Sequence, residues 1–142
     1  METLHPTLPV SVADDGSFVR GMRGKILTPR VGASGHLRVW SRGRYHSVHV
    51  LVLETFYGPR PEGYVARHLD GNPGNNHPGN LAWGTFSENN HDSVRHGTHR
   101  NARKTHCVQG HELTPDNLYK SKRNRRDCRQ CQLDRVRERK GR

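Results

Sequence analysis

Residues 67–89 read RHLDGNPGNNHPGNLAWGTFSEN, and this stretch decides how the rest of the chain is read. Tyr64 to His68 has the composition of a short strand. Asp70 to Asn80 is dense in Gly, Pro and Asn, the residues that supply positive φ angles and side-chain-to-backbone turns, and predicts a long ordered loop. Leu81 to Thr85 predicts a second strand. Thr85 followed three residues later by Glu88 is a capping-box pattern. It predicts a helix over about 86–96, stopped by Gly97. The frame is strand, loop, strand, helix, with His68 at a strand end, Asn80 at the close of the loop and Asn89 in the first turn of the helix.

Upstream, Val48, Leu51, Val52 and Phe56 have helical spacing, so 48–57 predicts a short amphipathic helix ended by Gly58-Pro59. His49, near its start, reads as a structural residue or a neighbour of the site. From Phe18 to Trp40, β-prone pieces (SFVRG, KILTPRV, HLRVW) alternate with Gly16, Gly24, Gly32 and Gly35 as turns. With Tyr45–Val48 they predict a small antiparallel sheet. Arg20, Arg38, Arg42 and Arg44 mark a face able to touch a polyanion. Residues 1–15 carry little structural signal and are expected to be partly disordered. Trp83 and Trp40 read as core residues, and His77, His91, His96 and His99 as polar surface.

Bulk properties narrow the function. The chain has 142 residues, 30% hydrophobic, with a net charge of +11. Its pI is about 10.4 and its mean hydropathy −0.99. A large core is excluded, and a polyphosphate partner is favoured. The charge is concentrated at the C-terminal end: residues 100–142 carry 14 Lys or Arg against 5 Asp or Glu. No basic start and apolar run marks a leader at Met1–Val10, so a cytoplasmic, non-secreted protein without membrane contact is expected. Oligomeric state is open, with a monomer favoured.

All three cysteines fall in the last third. Cys107, His111, Cys128 and Cys131 form C-x3-H and C-x2-C pairs, one tetrahedral set of soft and borderline ligands suited to Zn²⁺. So few apolar residues accompany them that metal binding must help fold the segment. RQCQLDRVRERK after Cys128 predicts a basic helix. Arg123, Arg125, Arg126, Arg129, Arg135, Arg137 and Arg139 are candidate phosphate contacts, which give affinity and position rather than sequence choice.

The His68–Asn80–Asn89 frame suits phosphodiester hydrolysis. A neutral His takes a proton from water. A divalent cation supports the oxyanion and the leaving oxygen. The amide of Asn89 would ligate that cation at a helix N-terminus, and Asn80 would bridge the loop and hold His68.

The residues then carry a resemblance. His68, Asp70-Gly71, Asn75-Asn76, Asn80-Leu81, Trp83-Gly84-Thr85 and Glu88-Asn89, with the lead-in VHVLVLETFYGPRPEG, resemble the HNH family of ββα-metal endonucleases, in particular its phage and homing branch. The resemblance implies DNA cleavage or nicking with Mg²⁺ or Mn²⁺, double-stranded DNA as partner, and often a C-terminal cysteine module. One position departs from the pattern. Many family members have a metal-binding Asp directly before the first His, where this chain has Arg67. Asp70 or Asp92 would replace that ligand, or Arg67 would grip the scissile phosphate, or activity is lost and a DNA-binding protein on a degenerate nuclease fold remains. The expected architecture is α+β: an N-terminal β-rich region at 1–47, an HNH core at 48–100 and a zinc-stapled basic module at 101–142. RNA as the substrate is disfavoured, because the sequence shows no cluster of exposed aromatics for stacking on unpaired bases.

Overall fold

The computed structural model describes residues 1–120 and 126–141. It consists of two compact units, Met1–His96 and Gly97–Arg142.

The first unit opens with strands where little order was expected. β1 (Glu2–Leu4), β2 (Val10–Ala13) and β3 (Val19–Gly21) form one antiparallel sheet in that order. Alternation explains β2: Val10 and Val12 point into the core, while Ser11 faces outward and pairs with Arg20. Pro6 and Pro9 hide this short run from a pattern reading. The loop before it is tied by His5, whose Nδ1 accepts the Thr7 and Leu8 N–H groups and whose Nε2 meets Glu54 at 3.0 Å.

β4 (Arg30–Val31), β5 (Leu37–Ser41) and β6 (Arg44–Ser47) form a second antiparallel sheet. The β5–β6 turn is Arg42-Gly43 with φ of 47° and 75°, the left-handed pair of a tight hairpin. The N-terminal region therefore holds two small sheets where one was expected. Helix α1 (Val48–Phe56) follows directly and closes over both. Val48, Leu51, Val52 and Leu53 join Val10, Val12, Val19, Val39 and Leu81 in a single core. Val52 and Leu53 are fully buried. Truncating Leu53 to Ala would cost about 2–5 kcal/mol.

β7 (Tyr64–His68) and β8 (Leu81–Thr85) pair antiparallel, His68 opposite Leu81. α2 (Phe86–Arg95) follows, and its expected cap is present. Thr85 Oγ1 accepts the Glu88 N–H at 3.2 Å, and Glu88 Oε2 accepts the Thr85 N–H at 2.7 Å. Both helices pack on this hairpin. Adjacent strand residues point to opposite faces, so His68 turns toward α1 and Arg67 toward α2.

In the second unit, β9 (Leu118–Lys120) pairs with β10 (Arg126–Cys128), and α3 (Arg129–Lys140) begins at once. Neither strand was expected. Among its described apolar residues, Val108 is 94% exposed, Leu133 46% and Val136 43%, and none belongs to the core of the first unit. Among the described residues, no helix is long and apolar enough to cross a membrane.

Candidate active site and metal centre

The loop between β7 and β8 is held by Asn80 and Asp70. Asn80 Oδ1 accepts the Asp70 N–H at 3.0 Å, and Asn80 Nδ2 donates to Asp70 Oδ1 and to the Asn75 carbonyl, both at 2.9 Å. Leu69 N–H donates to the Asn80 carbonyl. Asn80 thus bridges the loop and closes it next to His68. Asp70 also accepts Asn72 N–H and Asn75 Nδ2, both at 2.8 Å. These bonds from Asn72, Asn75 and Asn80 stabilise its anion and pull its pKa down to about 2. Two of these bonds fall on Oδ1 and one on Oδ2.

Two N-terminal turns buttress this loop. Gly16, at φ 72°, lies so close that a Cβ there would sit 2.0 Å from the Asn76 carbonyl oxygen. Gly35, in the β4–β5 turn, packs on Pro73.

That second turn delivers His36. The rings of His36, His49 and His68 gather with centroid separations of 4.6, 5.2 and 5.1 Å. Burial holds all three below the usual imidazole range, His49 at about 3, with Arg38 adding to the effect at His36 and His49. At His68 burial is opposed by the Asn76 side chain and by Asp70. Burial thus favours the neutral form of His68. Among the described residues its Nε2 is buried without a hydrogen-bond partner, as are His49 Nδ1 and Asn76 Oδ1. Sequence reasoning left His49 mainly structural and did not consider His36. No local signal in a hairpin turn announces a partner 32 residues away.

On the opposite face Arg67 runs across β8. Gly84 makes room for it: a Cβ there would lie 2.3 Å from Arg67 Cδ. Its Nε and Nη2 reach Asp92 Oδ2 at 2.8 and 2.7 Å, and its Nη1 reaches Glu88 Oε1 at 3.2 Å. Asp92 Oδ1 accepts from Arg95 Nη2 at 2.7 Å. Both oxygens of Asp92, the expected substitute ligand, are thus held by guanidinium groups. Arg67, the expected phosphate clamp, is committed to two carboxylates of α2. Asn89 is half-buried in the first turn of α2, and its side-chain amide makes no hydrogen bond among the described residues. Of the expected cation ligands, Asn89 is the one whose side chain makes no hydrogen bond or ion pair among the described residues, while Asp70 and Asp92 carry the bonds described above. Mg²⁺ is commonly held by one or two protein oxygens together with water and substrate phosphate, and a donor set of one amide fits only in that shared form.

Three of the expected surface histidines have specific contacts. His77 Nδ1 accepts the Gly79 N–H, His96 packs on Gly71, and His99 Nδ1 accepts the Ala102 N–H. Trp83 is half-buried against the core and donates Nε1–H to the Gly58 carbonyl, whereas Trp40 is 54% exposed, contrary to its core reading. Strand alternation puts it beside Arg38 on the face opposite the buried Val39.

In the second unit the four expected ligands converge. Ligand atoms of Cys107, His111, Cys128 and Cys131 all lie within 4.8 Å of one another. His111 Nδ1 is 3.5, 3.8 and 3.3 Å from the sulfurs of Cys107, Cys128 and Cys131, and Cys107 Sγ is 3.6 Å from Cys131 Sγ. A tetrahedral zinc with its usual bond lengths needs edges of about 3.6–3.8 Å, so the residues fit. The charge balance agrees. Burial and the neighbouring sulfurs push the Cys131 thiol up to about 12, a penalty that a dication removes. Gly110, at φ 82°, donates to the Cys107 carbonyl and curls the first pair.

Sequence reasoning missed two supports. Asn117 Nδ2 lies 3.5 Å from Cys128 Sγ, while its Oδ1 accepts Gln130 N–H at 2.9 Å. Asp134 sits 3.8 Å from His111 Nε2 and is held by Gln130 at 2.8 Å. Of the candidate DNA-contacting residues, Arg126 donates to the Asn101 carbonyl, and Arg129, Arg135, Arg137 and Arg139 are exposed on α3. Arg123 and Arg125 lie outside the described residues.

Comparison with known proteins matches these features. Residues 46–91 match the family model described as HNH endonuclease, and they contain His49, His68, Asn80 and Asn89. Protein 7.7 of Escherichia phage T7 is 34% identical over 70 residues, which is 49% of this chain and 54% of that protein. The solved structure titled "DNA binding and cleavage by the HNH homing endonuclease I-HmuI" matches at 32% identity and a TM-score of 0.54, over 63% of this chain and 53% of that one. The chain spans about half the length of each. Residues 46–91 thus match the HNH endonuclease family in sequence and fold, in a chain that continues into a Cys₃His cluster able to hold a metal.

Proposed function

We propose that this protein is a DNA endonuclease that hydrolyses phosphodiester bonds with a divalent cation such as Mg²⁺ or Mn²⁺, and that its Cys₃His cluster is a structural Zn²⁺ site. The observation that carries the reading is His68, whose charged form burial disfavours, at the end of β7 beside the loop that Asn80 closes. Its role is to take the proton of the attacking water. Asn80 is a positioning residue, since its bonds to Asp70 and Asn75 set the place of His68. Asn89 would hold the cation together with the scissile phosphate. When bound, the cation supplies charge stabilisation for the oxyanion and the departing oxygen. Arg67 anchors α2 on the hairpin. Zinc would fold the second unit and present the arginines of α3 to DNA phosphates. The expected division into 1–47, 48–100 and 101–142, the monomeric state and the cytoplasmic placement accompany this reading.

The Arg67–Asp92 pair favours a second reading: a DNA-binding protein on a nuclease fold that has lost its carboxylate ligand. Incubating supercoiled plasmid with purified protein and Mg²⁺, Mn²⁺ or EDTA separates the two. Nicked or linear product that needs the metal and vanishes in His68→Ala supports the nuclease. Intact plasmid bound by folded protein supports the second reading.

A further inference from the structure

The outward face of the β4–β6 sheet carries an arrangement that hydrolysis does not use. Trp40 and Tyr45 are direct cross-strand partners and meet edge-to-face, with ring centroids 4.8 Å apart and planes at 71°. They are 54% and 46% exposed. An edge-to-face pair leaves a ring face open. Between them and Ile26, Leu27, Thr28 and Arg30 lies a hollow of ≈ 370 Å³. The same face of β5 carries Arg38, which pairs in register with Arg30 on β4.

The charge around the pair has one sign. Residues 16–53 contain seven Lys or Arg and no Asp or Glu. Lys25, Arg30, Arg38, Arg42 and Arg44 form no ion pair among the described residues. An unpaired run of cations beside two open aromatic rings is complementary to a nucleic-acid strand. It also adjoins the candidate active site. Arg38 lies close enough to His36 and His49 for its charge to act on both, and both rings touch that of His68.

We propose that Trp40 and Tyr45 form a stacking platform for an unpaired base of the DNA strand that passes His68, with Lys25, Arg30 and Arg38 on its phosphates. In a duplex the faces of the bases are covered by their neighbours, and an aromatic ring can take a base face only where a strand is single or locally opened. The platform thus names a substrate class for the proposed nuclease: DNA carrying unpaired nucleotides next to the scissile phosphate. It rests on that reading for its biological sense, but its test does not.

Binding is measured in EDTA, where no cleavage occurs, with the full zinc-loaded chain and two fluorescent probes: an oligothymidylate and a fully paired hairpin duplex of equal length. Trp40→Ala and Tyr45→Ala are expected to weaken oligothymidylate binding by about fivefold to a hundredfold, the range for losing one base stack. Duplex binding should stay within about twofold. Trp40→Phe, which keeps a ring, should retain most of the affinity and shows that the position tolerates change. An unchanged affinity for oligothymidylate in both alanine variants would overturn the platform. So would an equal loss for both probes, or a loss confined to the duplex, which would assign the face to paired DNA. A plasmid assay that fails while the oligothymidylate result holds would remove the nuclease and leave the platform.

Discussion

Replacing Arg67 with Ala tests what holds α2 to the hairpin. The Arg67 side chain is 14% exposed and that of Asp92 7%. Removing one partner of a buried pair costs about 3–5 kcal/mol, because the other charge stays desolvated. Arg95 still contacts Asp92 Oδ1, but its side chain is 65% exposed and offsets only part of the loss. The Glu88 contact, with Glu88 51% exposed, adds about 0–1 kcal/mol. A loss of about 3 kcal/mol follows, which in a unit of this size lowers Tm by roughly 12–24 °C. Both tryptophans, Trp40 and Trp83, lie in the first unit, so tryptophan fluorescence in urea follows that unit alone. A cycle of Arg67→Ala, Asp92→Ala and the double variant isolates the coupling. Arg67→Met with Asp92→Leu should recover most of the stability, since an apolar pair leaves no buried charge. Arg67→Asp instead gathers three carboxylates at 67, 88 and 92, and is expected to be unstable in EDTA and rescued by Mn²⁺. A coupling below about 0.5 kcal/mol would refute the reasoning.

Three further outcomes follow from particular contacts. His49 is held near pKa 3 in the folded state against 6.5 for the free group, so the unfolded chain gains its proton first and stability falls as pH drops from 6.5 toward 3, at up to about 1.4 kcal/mol per pH unit. Urea midpoints at several pH values should fall less steeply in His49→Leu, and an identical slope would show that His49 does not titrate this way. Asp134→Ala frees the outer nitrogen of His111 and should weaken zinc binding by about tenfold to a hundredfold in a chelator competition, with an altered Co²⁺ absorption spectrum. Wild-type affinity in that variant would remove Asp134 from the site. Gly16→Ala meets the Asn76 carbonyl in a left-handed turn and should destabilise the first unit by about 1–3 kcal/mol, whereas Gly24→Ala, equally left-handed but with open space around it, should lose less.

The sequence revealed features that rest on local chemistry. The β7–loop–β8–α2 frame was legible because turn residues, a capping box and a glycine stop are each short-range signals. The Cys₃His cluster was legible because ligand spacing is itself local. Asn80's bridging of the loop followed from the same logic. What stayed hidden depends on contacts between distant segments. Asp92 looked free on its helix, and only the path of Arg67 over Gly84 shows that it is not. His36 and His49 join His68 through three separate elements, and Trp40 read as core because exposure is not a property of residue type. β1 and β2 were missed because two prolines and a polar turn bracket a run of four residues whose burial is decided by α1.

Single-turnover cleavage tests the central claim most directly. Protein and end-labelled DNA are mixed in EDTA, and the reaction is started with excess Mn²⁺. The account predicts strand cleavage in the wild type, loss in His68→Ala with DNA binding retained, and in Asn89→Ala a need for much higher Mn²⁺. Cleavage by His68→Ala at the wild-type rate would contradict the account, as would intact DNA in every reaction despite full binding.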